Sequence, residues 1–291
     1  MKLAFGAARM KLATMTTQRP AIESLKSQRV AARGELAVAA SNGRTRVARL
    51  YQEGAAKIRL PRGPEAEAVL INTAGGLTGG DRLCWDVEVG SGAALTVTTQ
   101  ACERAYRSAG GQAEVRSRLK VHGGGSLAWL PQETILYDRS ALCRGLDVEL
   151  EPGARALILE PVILGRRAHG ETVELAHFRD RWRIRVDGKL VHAEEFAIGP
   201  AVARQMERTV FGGGSRAFAT VLLVGGDAET HVRQLREILG PDGGVSFWHA
   251  GGTGKLLARL LAEDGYALRR RLVPALQLLN GQAALPKLWS L

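Results

Sequence analysis

Between residues 82 and 121 the side chains change character at every second position, and this period of two constrains the fold more than any other feature. Leu83, Trp85, Val87 and Val89 alternate with Arg82, Cys84, Asp86 and Glu88. Ala113, Val115, Ser117, Leu119 and Val121 alternate with Glu114, Arg116, Arg118 and Lys120. Successive side chains of a strand point to opposite faces, so these runs read as half-buried strands, as does Leu95-Thr96-Val97-Thr98-Thr99. Glycine clusters at 90–92, 110–111 and 123–125 separate them. The chain holds 35 glycines in 291 residues, about 12% where about 7% is usual. Strands broken by short glycine turns indicate a mainly β chain. No linker divides it and no sequence period of roughly 20–50 residues recurs, so it reads as one domain.

Two stretches carry helical spacing instead. Asp227 is placed to cap a helix over 228–239, with Val232, Leu235, Ile238 and Leu239 on one face and Gly240-Pro241 as its stop. A second helix is expected from Tyr266 to Leu279, lined by Leu268, Leu272, Leu276 and Leu279 and ended by Asn280-Gly281. Pro274 is expected to kink it or to mark a late start.

The 40 Lys and Arg against 29 Asp and Glu leave a net charge of +11. Three widely spaced cysteines, Cys84, Cys102 and Cys143, form neither a CxxC nor an even set, which suits a reduced, cytoplasmic chain. No apolar run approaches the roughly 18 residues of a membrane span. Residues 1–22 contain Lys2, Arg9, Lys11 and Arg19 and no acid, and read as a basic, unstructured extension before a domain at 23–291.

Few segments promise chemistry. Gly75-Gly76 and Gly79-Gly80 bracket a short loop followed by Asp81 and a strand, whereas a phosphate-binding loop should open a helix. Gly251-Gly252-Thr253-Gly254-Lys255-Leu256 imitates a P-loop, but His249 replaces its first glycine and Leu256 its magnesium-binding hydroxyl, so a hairpin turn is expected. The six histidines form no HxH, HxxxH or HExxH. Glu133, after the turn residue Pro131, and Glu171, after Gly170, are placed carboxylates whose plainer reading is a surface acid beside a turn. Arg179, Arg181, Arg183 and Arg185 share one face of a strand whose other face carries Trp182, Ile184 and Val186. Such a face suits nucleic acid or an acidic protein, and Arg269-Arg270-Arg271 adds a second cationic cluster.

Five segments, in order, resemble one family: LINTAGGLTGGDRL (70–83), TTQACERAYRS (98–108), LPQETILYD (130–138), LGRRAHGE (164–171) and LPKLWSL (285–291). Together they are similar to the urease accessory protein UreD (UreH) family. The motif residues are Gly75, Gly76, Gly79, Gly80, Arg82, Tyr106, Pro131, Gln132, Gly165, Arg166 and Gly170. Many relatives carry His-Pro-Pro where this chain has Asn72-Thr73-Ala74, which weakens any metal role for the first loop. The resemblance implies a β-helix-like stack of sheets with about two α-helices toward the C-terminal part. It implies no catalysis and no tightly bound cofactor. The implied role is a scaffold or metallochaperone that binds the urease apoprotein and UreF, as a dimer of heterodimers with UreF. UreF in turn engages UreG, which alone brings GTP, for nickel insertion into urease. Nickel in transit needs weak ligands, for which Asp81, Glu133 and Glu171 are the candidates. Arg181, Arg183 and Trp289 are candidate partner contacts, with core packing the alternative for Trp289. Two rival functions are a basic β-protein binding nucleic acid through Arg179–Arg185, and an enzyme using Glu133 or Glu171 as general base.

Overall fold

The alternating segments become strands and the glycine clusters become corners. The computed structural model describes residues 29–281 and 284–290, so the N-terminal extension lies outside the described residues. One sheet runs β14 (Lys189–Ile198), β13 (His177–Val186), β11 (Ala141–Leu150), β8 (Ala113–Val121), β5 (Arg82–Val89), β1 (Ala31–Ser41), β2 (Arg44–Glu53). The second runs β16 (Gly243–Ala250), β17 (Thr253–Ala262), β15 (Ala217–Val224), β12 (Arg155–Leu164), β9 (Ser126–Leu130), β6 (Ala94–Thr99), β4 (Glu67–Asn72), β3 (Ala56–Arg59). Two short strands, β7 (Glu103–Ala105) and β10 (Thr134–Leu136), join it from the side.

The middle of each sheet is parallel and its ends are closed by antiparallel hairpins. The chain therefore winds as a flattened β-solenoid, crossing from one sheet to the other and back in each coil. Arg82 pairs with Glu114, and Glu114 with Cys143, while Ala94 pairs with Ser126, and Ser126 with Arg155. The molecule thus repeats about every 30 residues, although the sequence shows no period. Backbone pairing and face alternation define the repeat, and neither requires the same residue twice. At one set of corners Gly92, Gly124 and Gly153 stack with φ of +66°, +68° and +77°, a region that a side chain disfavours.

Two cores result. Between the sheets pack Leu83, Trp85, Val87, Leu119, Leu146, Ile158 and Trp182. On the outer face of the second sheet, Leu130, Leu157, Leu159, Val221 and Leu223 pack against the late helices and Trp289. The second sheet is thus covered on both sides, which is why β12 reads as an almost unbroken apolar run. The covering helices are α2 (Val232–Leu239) and α3 (Gly265–Leu279). A short α1 (Val202–Glu207) was not legible in the sequence.

Each expected helix is corrected in detail. The 228–239 segment starts as a 3-10 turn over Ala228–His231, and the Asp227 side chain makes no cap hydrogen bond. Asp264 caps α3, its Oδ1 accepting from the Ala267 amide at 2.8 Å, and the helix runs unbroken past Pro274. Gly251 and Gly252, at φ +58° and +82°, form the expected hairpin turn between β16 and β17.

Candidate functional site

Every coil must return from the second sheet to the first, and four such returns stack along one edge. They are residues 73–81, 100–112, 131–140 and 165–176. The Leu77 amide donates to the Arg104 carbonyl and the Tyr106 amide to the Leu77 carbonyl, both at 2.7 Å. Tyr137 N reaches Ala105 O at 3.0 Å and Gly165 N reaches Leu136 O at 2.8 Å. Four of the five sequence motifs lie on these returns, one per coil.

A tight return leaves amides that no strand satisfies, and the acids of this edge take them up. Asp81, almost fully buried, accepts from Val30 N at 2.9 Å and from Thr78 N at 2.7 Å. Glu171 accepts from Asp138 N at 3.2 Å and Arg166 N at 3.1 Å, and pairs with Arg166 Nε at 2.8 Å. Asp138 in turn accepts from Leu175 N at 3.0 Å. Gly76, at φ +152°, lies against the next return: a Cβ there would stand 2.7 Å from the Arg104 carbonyl oxygen and closer still to the Tyr106 ring.

One ladder of side chains crosses all four returns. The Tyr106 hydroxyl donates to Gly75 O at 3.2 Å. Its ring meets Tyr137 edge-on, 5.1 Å between centroids. The Arg166 guanidinium lies 4.5 Å over the Tyr137 ring and then binds Glu171.

Beneath the ladder lies a second set. Glu133 accepts a bidentate pair from Arg269 of α3, Nε at 2.7 Å and Nη2 at 2.8 Å, and Cys102 Sγ at 3.3 Å. Burial would raise the Glu133 carboxyl, but Arg269 outweighs it and holds the group below the usual carboxylate range. Burial, with Glu133 beside it, pushes the Cys102 thiol up to about 12, so this cysteine stays an unreactive thiol. Burial pushes Glu103 up to about 7 although Asn72 donates to it at 3.2 Å. Arg269 also donates to Gln132 and lies 5.0 Å over Trp289, whose indole N–H reaches Leu130 O at 3.0 Å. The fifth motif therefore docks on the same layer as the third.

The profile of the UreD urease accessory protein family matches residues 30–290. The chain belongs to the UreD family. It is 55% identical to urease accessory protein UreD 1 of Brucella melitensis over 93% of this chain and 97% of the relative. It is 57% identical to urease accessory protein UreD of Mesorhizobium japonicum over 91% of this chain and 95% of that relative.

Within this UreD chain the expected site residues separate. Gly75, Gly76, Gly79, Gly80, Asp81, Tyr106, Pro131, Gln132, Glu133, Gly165, Arg166, Gly170 and Glu171 all fall on the stacked returns, and Arg82 opens the strand that follows the first. The carboxylates Asp81, Glu133 and Glu171 do not converge. Among the described residues no group of three His, Cys, Asp or Glu side chains is placed to hold a metal ion. Glu133 is no surface acid, being 1% exposed. Trp289 is buried in the outer core of the free chain rather than offered to a partner, since its ring packs under Arg269. The arginine face of β13 forms as expected but is matched by acids. Arg179 meets Glu195 at 2.5 Å, Arg185 meets Glu149 at 3.3 Å, and Arg181 approaches Asp147 at 4.0 Å. Arg183 donates to the Trp182 and Glu194 carbonyls.

Sequence reasoning missed a buried ionic triad between the sheets. Arg144 meets Glu160 at 2.5 Å and Asp180 at 2.6 Å, and Trp129 Nε1 donates to Glu160 at 3.0 Å. Burial and the Asp180 charge keep the Glu160 carboxyl raised against the pull of Arg144. The triad lines a cavity of about 890 Å³ shared with Glu194, Phe196 and Arg259. Two signals stood in the sequence: Glu160 interrupts the apolar run of β12, and Asp180 falls on the apolar side of the β13 alternation. A charge on a buried face needs a partner.

Proposed function

We propose that this chain is a non-catalytic urease maturation factor that binds the urease apoprotein and UreF, and through UreF works with the GTPase UreG in nickel insertion. The carrying observation is the convergence of the motif residues on one edge of the solenoid, in a family whose members are urease accessory proteins. That edge has the chemistry of a rigid recognition surface. Its acids are spent on backbone amides and guanidinium groups, and its rings are locked against each other. A general base needs a free, poised carboxylate. Glu133 and Glu171 are both held below the usual range, by Arg269 and Arg166 against the effect of burial, so neither is poised.

Nickel is cargo in this reading. Asp81, Glu133 and Glu171 hold the edge in shape, and a passing cation would have to displace those bonds. Glu160, Asp180 and Glu194 around the cavity between the sheets are engaged in the same way, by Arg144 and Arg259, so the described residues of the free chain offer a passing cation no preformed cage. The acidic partners along β13 leave the nucleic-acid alternative no unopposed cationic face there.

The test is co-expression of the full-length chain with urease and its accessory proteins, reading copurification, urease activity and urease nickel content separately. Omitting the chain should leave urease nickel-poor. Asp81→Asn should lower complex formation and activation together. Turnover by the isolated chain, or full nickel loading without it, would overturn the proposal.

A further inference from the structure

The stacked returns are nearly neutral in sequence and cationic in space. They contain six acids, Asp81, Glu103, Glu133, Asp138, Glu171 and Glu174, against five arginines, Arg104, Arg107, Arg139, Arg166 and Arg167. Every acid but Glu174 is partly or fully buried, and each of those five is spent on an amide or a neighbouring side chain. The arginines face outward, all five exposed. Arg139, Arg166 and Arg167 reach Asp138, Glu171 and Asp264. Arg104 and Arg107 have no carboxylate partner among the described residues, and Arg104 lies beside the Tyr106 hydroxyl. Arg82, exposed at the start of β5, extends the same charge.

Between these cations stand exposed rings and aliphatic surface, with Tyr106 at 37% and Leu175 at 45% exposure. Arginine and tyrosine on an already rigid backbone are the residue types that dominate binding at protein interfaces. Rigidity matters because little side-chain freedom remains to be lost on association. Here it comes from Gly75 O and Tyr137 fixing Tyr106, and from Glu171 fixing Arg166. The two short strands within the returns are already paired on both sides, β10 with β12 and β7, and β7 with β10 and Leu77, so neither leaves an edge for a peptide to extend, and the complement of the turns around them is a loop. The unpaired cations require that loop to be acidic.

We propose that the Tyr106–Tyr137–Arg166 edge, flanked by Arg104 and Arg107, docks a carboxylate-bearing loop of a protein partner in urease maturation. This rests on the function proposed above and adds where and by what chemistry the partner is held. A carboxylate of the loop pairs with Arg104 or Arg107 while an apolar residue covers the exposed Tyr106 ring.

The experiment uses the full-length chain against three probes: purified urease apoprotein, purified UreF, and a duplex DNA of random sequence. Arg104→Glu combined with Arg107→Glu should weaken binding to one of the two proteins by about tenfold or more. Circular dichroism and melting temperature should change little, because both side chains are exposed and neither is ion-paired among the described residues, Arg104 touching only the Tyr106 hydroxyl. Lysine at both positions should keep most of the affinity. Wild-type binding to that protein should also weaken at about 0.5 M salt, where the screening length is roughly 4 Å. Should the reversed variant fold poorly, Arg104→Gln with Arg107→Gln carries the same comparison. Equal protein binding by wild type and variant overturns the docking edge alone, and so does a loss confined to DNA. A wild type that binds neither protein overturns the maturation role as well.

Discussion

Replacing Arg269 with methionine removes the only cation bound to Glu133 among the described residues and leaves that carboxylate in place, its side chain 2% exposed. Breaking one side of a buried ion pair costs about 3–5 kcal/mol, because the remaining charge is left without solvent or partner. Arg269 is 21% exposed, so water reaches its end of the pair and the lower figure, about 3 kcal/mol, applies. With a urea m of about 3 kcal/mol/M for a chain of this size, the unfolding midpoint should fall by about 1 M. The sign of the pH dependence follows from Glu133. In the wild type Arg269 keeps its pKa below the usual carboxylate range, against burial, so the pair contributes fully at neutral pH and is lost only as pH falls through that depressed value. Without Arg269, burial is the largest influence and is opposed only by hydrogen bonds from Cys102 and the backbone, so the pKa rises, and the variant carries its full deficit at alkaline pH and recovers as the carboxyl takes up a proton. Urea titrations followed by tryptophan fluorescence, at about pH 8 and about pH 5.5, measure both effects. The double variant Glu133→Gln, Arg269→Met should regain most of the loss, since replacing both members of a buried pair is far milder than removing one. Equal midpoints for wild type and Arg269→Met at the higher pH, or a deficit unchanged between the two, would refute the reasoning.

Three further outcomes are expected. Gly76→Ala forces a Cβ into the Arg104 carbonyl and the Tyr106 ring at a left-handed φ, so amide exchange should quicken along 100–112 while β11 keeps its protection. Glu103 is raised to about 7, so the folded state holds a proton the unfolded chain has released and stability falls as pH rises from the ordinary glutamate value toward 7; Glu103→Gln should melt higher than wild type at alkaline pH and level with it near pH 4.5. His122 bridges Glu88 and Glu151, each at 2.8 Å, and these hydrogen bonds raise its pKa, so its ties hold below the ordinary value of 6.5 and are lost as pH rises through the raised one; NMR should show it titrating late, and Glu88→Gln with Glu151→Gln should bring it back.

The strands were legible because sheet burial writes itself on every second residue, as at Leu83–Val89 and Ala113–Val121. The solenoid repeat was not, because Arg82, Glu114 and Cys143 occupy equivalent places with nothing in common beyond facing outward. Motif glycines and acids located the edge, since a return that bends past another backbone constrains its residues locally. Their partners were invisible for the opposite reason. Arg269 lies 136 residues from Glu133 and read as one of three surface arginines. Asp227 and Pro274 were judged by local rules that tertiary packing overrides. The acids of the edge looked like free carboxylates because a sequence does not show which backbone amides lack a strand partner.

The lid on the outer face of the second sheet also sets the timing of folding. Trp289 closes on the carbonyl of Leu130, 159 residues earlier in the chain. At roughly 5–20 residues per second of synthesis, that gap is roughly ten to thirty seconds. Once β12 has been made within that interval, β9 and β12 can pair, yet Leu157 and Leu159 lack their full cover until α2, α3 and the Trp289 turn have followed in order. The newborn molecule is therefore a ribbon with one greasy side that is covered step by step, last by Trp289. A helper present during translation would act on that side.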